Sequence, residues 1–166
     1  MVDLSSAAAA PVTARDWARG SPDAPLVVVY SDFTCFECAV ANERLGPLPI
    51  RRVFRHFALA SRHPRSLALA CAAEAAGRQD AFWAMHDSLY ADQGHIDDPH
   101  LWARVESLGL DLARFEADRR DPLVLARVTE DVQAAMRAGV ASTPTLFVDG
   151  RLHPGPPDAA MLAALA

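Results

Sequence analysis

The chain has 166 residues, 51% of them hydrophobic, and a formal net charge of −5. This length suits one substantial domain and is short for two. The acidic balance argues against a general nucleic-acid binder, which carries a basic face. Charged residues also interrupt every apolar stretch before the roughly 20 residues that a membrane span requires. The composition therefore predicts a soluble globular protein.

The N-terminal residues 1–15 predict a flexible leader ahead of a domain that spans residues 16–166. Residues 1–10 lack a basic n-region and contain only a short alanine run, which makes a poor secretory signal. We therefore expect a cytoplasmic protein. Thiols stay reduced in that compartment, so a Cys-x-x-Cys sequence there is more often catalytic or metal-binding than structural. The chain has three cysteines, so one is left over whatever the pairing.

The first predicted strand is the continuous apolar run 26–30, which follows a turn-rich segment at 21–25. Such a run is typical of a buried strand in the middle of a sheet. Residues 31–34 form the connecting loop, and the first helix is predicted over 35–45, where a Gly-Pro pair ends it. This order places a Cys-x-x-Cys sequence at a strand-to-helix junction.

Cys35, Phe36, Glu37 and Cys38 form that sequence. At a helix N-terminus, unpaired N–H groups and the positive end of the dipole favour a thiolate at Cys35. Cys38 lies one turn later on the same helix face, close enough to attack a mixed disulfide formed at Cys35. The position and the spacing together indicate thiol–disulfide chemistry.

The second strand is predicted over residues 50–59, with Arg51, Arg52 and Arg55 where the strand meets water. From Pro64 the period of the apolar residues becomes helical. The helices predicted after it are an alanine-rich helix ending at Gly77, one with Asp80 as its N-cap, two short ones at 99–108 and 111–120, and a long one from Pro122 to Gly139. The apolar stripe predicted for the long helix consists of Leu125, Val128, Val132 and Met136.

Strand character returns near the C-terminus. Residues 145–148 and 151–153 flank an Asp-Gly pair, which favours a type I′ hairpin turn. A final helix is predicted from Asp158 onwards. The order of strand, helix, strand, helical block, hairpin and helix predicts one α/β sheet domain with an inserted helical layer.

A second motif, residues 140–148, precedes and includes the first strand of the hairpin. Proline is accepted at the start of a strand because its missing N–H falls where the ladder begins, and a cis Thr143–Pro144 bond is one possibility. With this motif and residues 30–38 around the cysteines, the chain resembles the DsbA-like branch of the thioredoxin superfamily. Residues 55–64 and 81–87 look like segments of small bacterial members, some of which are fused to sodium/proton antiporters.

The resemblance implies an α/β thioredoxin fold with a DsbA-like helical subdomain inserted at about residues 64–138. It implies that Cys35 is the exposed nucleophile, Cys38 the buried resolving thiol and Pro144 a cis-proline facing them. The backbone of Thr143 would pair with an extended substrate strand, and Phe36 is a candidate apolar contact for clients. The implied partners are protein or small-molecule thiols and disulfides, with no metal or organic cofactor, no nucleic acid and no membrane insertion.

Two carboxylates near the cysteines need separate interpretations. Glu37 replaces the histidine or tyrosine that oxidising members of the branch usually carry, and a nearby carboxylate disfavours a thiolate. We therefore predict a reduction potential nearer to thioredoxin's ~−270 mV than to DsbA's ~−120 mV. Equilibration with glutathione tests this prediction, and a potential above about −150 mV would contradict it. Asp32 is either a proton acceptor near Cys38 or a turn or capping residue, and the second interpretation is favoured.

Three alternatives to a dithiol oxidoreductase stay open. In the first alternative, the cysteine pair is half of a zinc site. The remaining ligands that zinc requires are hard to find, because Cys71 lies alone on a helix and no closely spaced histidine pair is nearby. The second alternative is a glutathione-type thiol transferase or isomerase of the same branch, and the third is a non-enzymatic redox-sensing module. Residues expected simply to pack in the interior are Cys71, His56, His86, Trp83 and Trp102.

Overall fold

The computed structural model describes residues 8–166. Its strands are β1 (Trp17–Arg19), β2 (Leu26–Ser31), β3 (Arg51–His56), β4 (Thr145–Val148) and β5 (Arg151–Pro154). Its helices are α1 (Phe36–Leu45), α2 (Ser66–Gly77), α3 (Phe82–Ala91), α4 (Asp98–Ser107), α5 (Leu112–Asp118), α6 (Pro122–Arg137) and α7 (Ala159–Leu165). None of these helices is long and apolar enough to cross a membrane.

The five strands form one sheet in the order β1-β3-β2-β4-β5. β2 and β3 are parallel, and the other pairs are antiparallel. The central strand β2 is buried from Val27 onwards, as expected for a continuous apolar run. Helices α2 to α6 form a block between β3 and β4, which confirms the predicted thioredoxin fold with a helical insertion.

Side chains of β2 alternate between the two faces of the sheet. Val27 and Val29 belong to a cluster with Leu45 of α1 and Leu165 of α7. On the other face, Val28 and Tyr30 pack with residues of α6 and of the segment after it, namely Ala135, Ala138 and Val140. A third and larger cluster joins the sheet to the helical insertion through Phe33, Phe54, Leu69, Phe82, Met85 and Leu89. The helices therefore cover both faces of the sheet.

The prediction that the arginines of β3 meet water is wrong for two of them. Arg52 is 5% exposed and Arg55 is 3% exposed. Arg52 donates to the Asn42 side chain at 2.9 Å, and Arg55 is ion-paired with Asp16. Buried charges persist where partners compensate them. These partners come from α1 and from the segment before β1, outside the strand.

The apolar stripe predicted for α6 is displaced around the helix. Val128 is buried, but Leu125 and Met136 are exposed. The buried face consists of Val124, Val128, Asp131 and Ala135. Asp131 lies on this face because its carboxylate accepts the His56 N–H and pairs with Arg127. Because the charged residue Asp131 belongs to the buried face, the positions of the apolar residues alone do not predict which face of α6 is buried.

The entrance of α3 also differs from its prediction. Asp80 has φ 59°, in the left-handed region, and the helix begins at Phe82 with Ala81 as an N-cap that has no side-chain hydrogen bond.

The prediction that Trp102 packs in the core is wrong, because its side chain is 39% exposed. Its indole N–H donates instead to Glu116 at the surface. Trp83 is half-buried.

The segment before β1 packs against the rest of the domain. The strand β1 itself was not predicted, because it is too short to give a recognisable sequence pattern. Residues 1–7 of the predicted leader lie outside the described part of the chain. Ala9 and Val12 pack against the cluster of Val28 and Tyr30. The backbone carbonyls of Ala10 and Pro11 accept hydrogen bonds from Arg55. The packed domain therefore begins before residue 16.

Candidate active site

The Cys-x-x-Cys sequence lies where β2 leads into α1. Cys35 is the N-cap of α1, with extended backbone angles, and its sulfur accepts the Cys38 N–H at 3.3 Å. Cys35 is half-buried, whereas Cys38 is 1% exposed. Both thiols are free. One sulfur therefore faces the surface and the other lies in the core beneath it.

The environment lowers the pKa of Cys35 to about 6. The hydrogen bond from the Cys38 thiol makes the largest contribution, and burial of the Cys35 sulfur opposes it. Hydrogen bonds from the Thr143 side chain and the Cys38 N–H lower the pKa further, while the negative charge of Asp32 raises it. The lowered pKa favours the thiolate of Cys35 at neutral pH, and the thiolate is the nucleophilic form of a cysteine.

The pKa of Cys38 is raised well above its ordinary value. Burial is the main cause, and the neighbouring Cys35 adds to it, both by accepting the Cys38 hydrogen bond and by its negative charge. At neutral pH Cys38 is therefore a neutral thiol. The pair combines one ionised, accessible sulfur with one protonated, protected sulfur.

Thr143 lies next to Cys35, and the peptide bond between Thr143 and Pro144 is cis. β4 begins directly afterwards and pairs with β2 so that Thr145 faces Tyr30. In this register, the first residue of β4 lies at the end of β2 that leads into α1. In its neutral form the Cys35 thiol donates to the Thr143 carbonyl at 3.5 Å.

The side chains around the motif have different roles. The Asp32 carboxylate accepts the backbone N–H and the hydroxyl of Thr34, both at 2.8 Å. This is the turn role favoured for Asp32 from the sequence. Phe36 is 76% exposed, and Glu37 is exposed next to it. Phe36 therefore presents an exposed apolar surface next to Cys35 in the chain.

Sequence reasoning did not find Gln93, which lies in the loop between α3 and α4. Its side-chain amide donates to the Phe33 carbonyl at 2.8 Å and to the Cys35 carbonyl at 2.9 Å. These bonds tie the helical insertion to the cysteine loop. A glutamine in a polar loop carries no local signal of such a role.

The third cysteine, Cys71, does not join this site. It is buried in a cluster with Val124 and Val128, and burial raises its pKa to about 11. In the described part of the chain, no three histidine, cysteine or acidic side chains converge as metal ligands. The structure therefore groups Cys35 and Cys38 with Thr143 and Pro144 and leaves Cys71 apart.

We expect alkylation of the reduced protein by iodoacetamide to follow the ionisation of Cys35. The rate should rise with pH through a midpoint of about 6, because the lowered pKa makes the thiolate available above that pH. The measurement is the pH dependence of carboxamidomethylation at Cys35, resolved by peptide mass spectrometry. Cys71 serves as the internal control and should stay unmodified. A midpoint near the ordinary thiol value, about 8.5, would contradict the expectation.

The chain matches a family model described as thioredoxin over residues 13–165. Among curated relatives, the Na(+)/H(+) antiporter NhaA 1 of Salinispora arenicola is 44% identical over 147 residues, which cover 85% of this chain and 22% of that protein. The Na(+)/H(+) antiporter NhaA of Herminiimonas arsenicoxydans is 38% identical over 157 residues, which cover 90% and 25%. The chain spans about a quarter of the length of these relatives.

The fold also occurs among solved structures. A thioredoxin-like oxidoreductase from Silicibacter pomeroyi superimposes with a TM-score of 0.82 at 24% identity, covering 92% of this chain and 91% of that one. The thiol-disulfide exchange protein alpha-DsbA2 from Wolbachia pipientis gives 0.80 at 19% identity, covering 91% and 85%. The chain therefore belongs to the thioredoxin family, and the helical insertion between β3 and β4 gives it the fold of the DsbA-like branch.

Proposed function

We propose that this protein is a thiol–disulfide oxidoreductase in which Cys35 is the nucleophile and Cys38 the resolving thiol. The observation that carries the proposal is the difference between the two sulfurs. Cys35 caps a helix, reaches the surface and has its pKa lowered to about 6. Cys38 is buried in contact with it and has a raised pKa. This is the asymmetry that sequential attack and resolution require.

In the reducing direction, the Cys35 thiolate attacks one sulfur of a substrate disulfide. A Cys35–substrate disulfide forms, and the second substrate sulfur leaves as a thiolate and takes a proton. Cys38 then loses its proton and attacks the Cys35 sulfur, which forms the Cys35–Cys38 disulfide and releases the first substrate sulfur as a thiol. Two electrons pass from the protein to the substrate. The oxidising direction is the reverse.

The surface beside Cys35 suits a polypeptide substrate. The backbone of Thr143 lies next to the Cys35 sulfur, at the entrance of β4. An extended segment pairing with that backbone would place its own sulfur near Cys35, by strand addition. The exposed ring of Phe36 offers an apolar contact on the same side. Protein disulfides are therefore the proposed substrate class, with small thiols as recycling partners.

Cys38→Ser should accumulate covalent adducts with substrate proteins, because Cys35 still attacks while the resolving thiol is gone. The measurement is capture of disulfide-linked partners that dithiothreitol releases, followed by their identification. The matched control is the double variant Cys35→Ser, Cys38→Ser, which should capture none. Equal capture by both variants would contradict the assignment of Cys35.

The curated relatives support a second candidate function. They are named antiporters, and this chain corresponds to about a quarter of their length. A domain in that setting would serve as a non-enzymatic redox sensor beside a transporter. Catalytic reduction of insulin distinguishes the two functions, since a sensor would be oxidised once by the substrate without turning over.

A further inference from the structure

One side chain of the helical insertion holds the backbone on both sides of Thr34. Gln93 lies in the loop between α3 and α4 and is half-buried. Its side-chain nitrogen donates to the Phe33 carbonyl at 2.8 Å and to the Cys35 carbonyl at 2.9 Å. An amide nitrogen carries two protons, so each carbonyl receives one of them. Both donors of Gln93 are therefore committed to the cysteine loop, residues 32–35.

The backbone that carries Gln93 is itself held by two arginines. The Arg104 guanidinium, in a residue that is 8% exposed, donates to the Asp92 carbonyl at 2.8 Å. The Arg65 guanidinium donates to the Ile96 carbonyl at 2.9 Å. These bonds secure the chain on both sides of the glutamine. Gln93 therefore reaches the cysteine loop from a fixed position.

The Cys35 carbonyl matters because its direction is linked to the direction of the sulfur. Cys35 has φ −85° and ψ 120°, the extended angles of an N-cap. With these angles its carbonyl accepts the Ala39 N–H at 3.3 Å, and its sulfur accepts the Cys38 N–H at 3.3 Å. Rotation about ψ, one of the two soft backbone dihedrals, changes the angle between this carbonyl and the side chain. The bond from Gln93 to the same carbonyl therefore opposes rotation of the sulfur away from the helix N-terminus.

The residues of the cysteine loop fix a different set of its groups. The Asp32 carboxylate accepts the N–H and the hydroxyl of Thr34, and the Asp32 carbonyl accepts the Cys35 N–H at 3.2 Å. These bonds secure donors of the loop. Gln93 secures two of its carbonyls, from outside the loop. The contribution of Gln93 is therefore additional to that of Asp32.

Building on the proposed function, we propose that Gln93 is a positioning residue that holds Cys35 in the geometry in which its sulfur accepts the Cys38 N–H. Gln93 acts through the backbone and gives up no proton. The Cys38 N–H stabilises a charged Cys35 sulfur, since a hydrogen bond to an ionised group favours the ionised form. The helical insertion therefore contributes to nucleophilic attack as well as to the packing of the domain.

The test is the pH dependence of Cys35 alkylation by iodoacetamide in Gln93→Met, resolved by peptide mass spectrometry. Methionine is unbranched and similar in length to glutamine, but it has no donor. The midpoint should rise by about 0.5–1 pH unit, the effect of weakening one hydrogen bond to a charged group. The rate at about pH 6, the midpoint expected for wild type, should therefore fall about twofold to fivefold. Above about pH 9 the two rates should agree within about twofold, since Cys35 is ionised in both proteins.

Gln79→Met is the matched control. Gln79 is also half-buried, and its side chain also makes two hydrogen bonds to backbone groups. It donates to the Asp111 carbonyl at 3.1 Å and accepts the Asp111 N–H at 2.9 Å, within the helical insertion. The midpoint for Cys35 should stay at its wild-type value in this variant, because the lost bonds do not reach the cysteine loop.

An unchanged midpoint in folded Gln93→Met, a rate lowered by the same factor at every pH, or an equal rise in Gln79→Met would overturn the inference and leave the proposed function intact. If Gln93→Met does not fold, Gln93→Ala decides, since it removes the same donors without placing an apolar chain in a polar loop. A wild-type protein that does not turn over insulin would instead overturn the proposed function, whereas a raised midpoint in Gln93→Met would still support the positioning role.

Discussion

Replacing Cys35 by alanine is expected to lower the turnover of a disulfide substrate by about a thousandfold or more, as for other enzymes that lose their nucleophile. Cys35 is the one cysteine that combines a helix N-terminal position, surface access and a lowered pKa. Cys38 does not replace it, because its sulfur is buried and protonated. The measurement is the initial rate of insulin reduction with dithiothreitol as the electron source.

Cys71→Ala is the matched control for this substitution. Cys71 is buried and its pKa is raised to about 11, so it is neither accessible nor ionised at neutral pH. Turnover should stay within about twofold of the wild-type rate, since a buried cysteine of this kind behaves as a small hydrophobic residue. A comparable loss in both variants, or a Cys35→Ala protein that keeps its rate, would contradict the assignment.

Arg55→Met is expected to lower the free energy of unfolding by about 3–5 kcal/mol, the usual consequence of leaving a buried charge without its partner. The Arg55 guanidinium donates two hydrogen bonds to the Asp16 carboxylate, at 2.8 and 3.0 Å, and one to the Tyr30 hydroxyl at 3.1 Å. The side chains of Arg55 and Asp16 are 4% and 6% exposed. Urea unfolding at pH 7 measures the loss.

Arg15→Met is the matched control, because the Arg15–Glu130 pair is 68% and 56% exposed. It should cost less than about 1 kcal/mol, as exposed pairs usually do. The double variant Asp16→Asn, Arg55→Met should recover part of the stability lost in Arg55→Met, because the unpaired charge is gone. A loss below about 1 kcal/mol in Arg55→Met would show that the ion pair contributes little net stability.

The same ion pair predicts a dependence on pH. Burial alone would raise the pKa of Asp16, but the hydrogen bonds from Arg55 and Thr13 outweigh it and the pKa is lowered. The contribution of the Asp16 carboxylate is therefore present above its unfolded pKa of about 4 and is lost as the pH falls through the folded value. The difference between wild type and Arg55→Met should shrink over that acidic range.

Part of the site was predictable because it is local. Cys35 and Cys38 share one helical turn, and the preceding apolar strand and following Gly-Pro pair mark where that turn lies. Gln93 is 58 residues from Cys35 in the chain, and its hydrogen bond to the Cys35 carbonyl depends on how the helical insertion packs against the sheet. No local pattern marks a glutamine for that contact.

The sequence by itself determined the elements whose signals are carried by neighbouring residues: the buried strand β2, the helix α1 and the β4–β5 hairpin with its Asp-Gly turn. The tertiary structure alone decided which polar groups are buried. Arg55 is buried together with its ion-pair partner Asp16, which lies 39 residues earlier in the chain. Asp131 lies in the core, where it accepts a hydrogen bond from the backbone N–H of His56, 75 residues away. The physical reason is that backbone preference and apolar burial depend on nearby residues, whereas a buried charge is stable only where the fold supplies its partner.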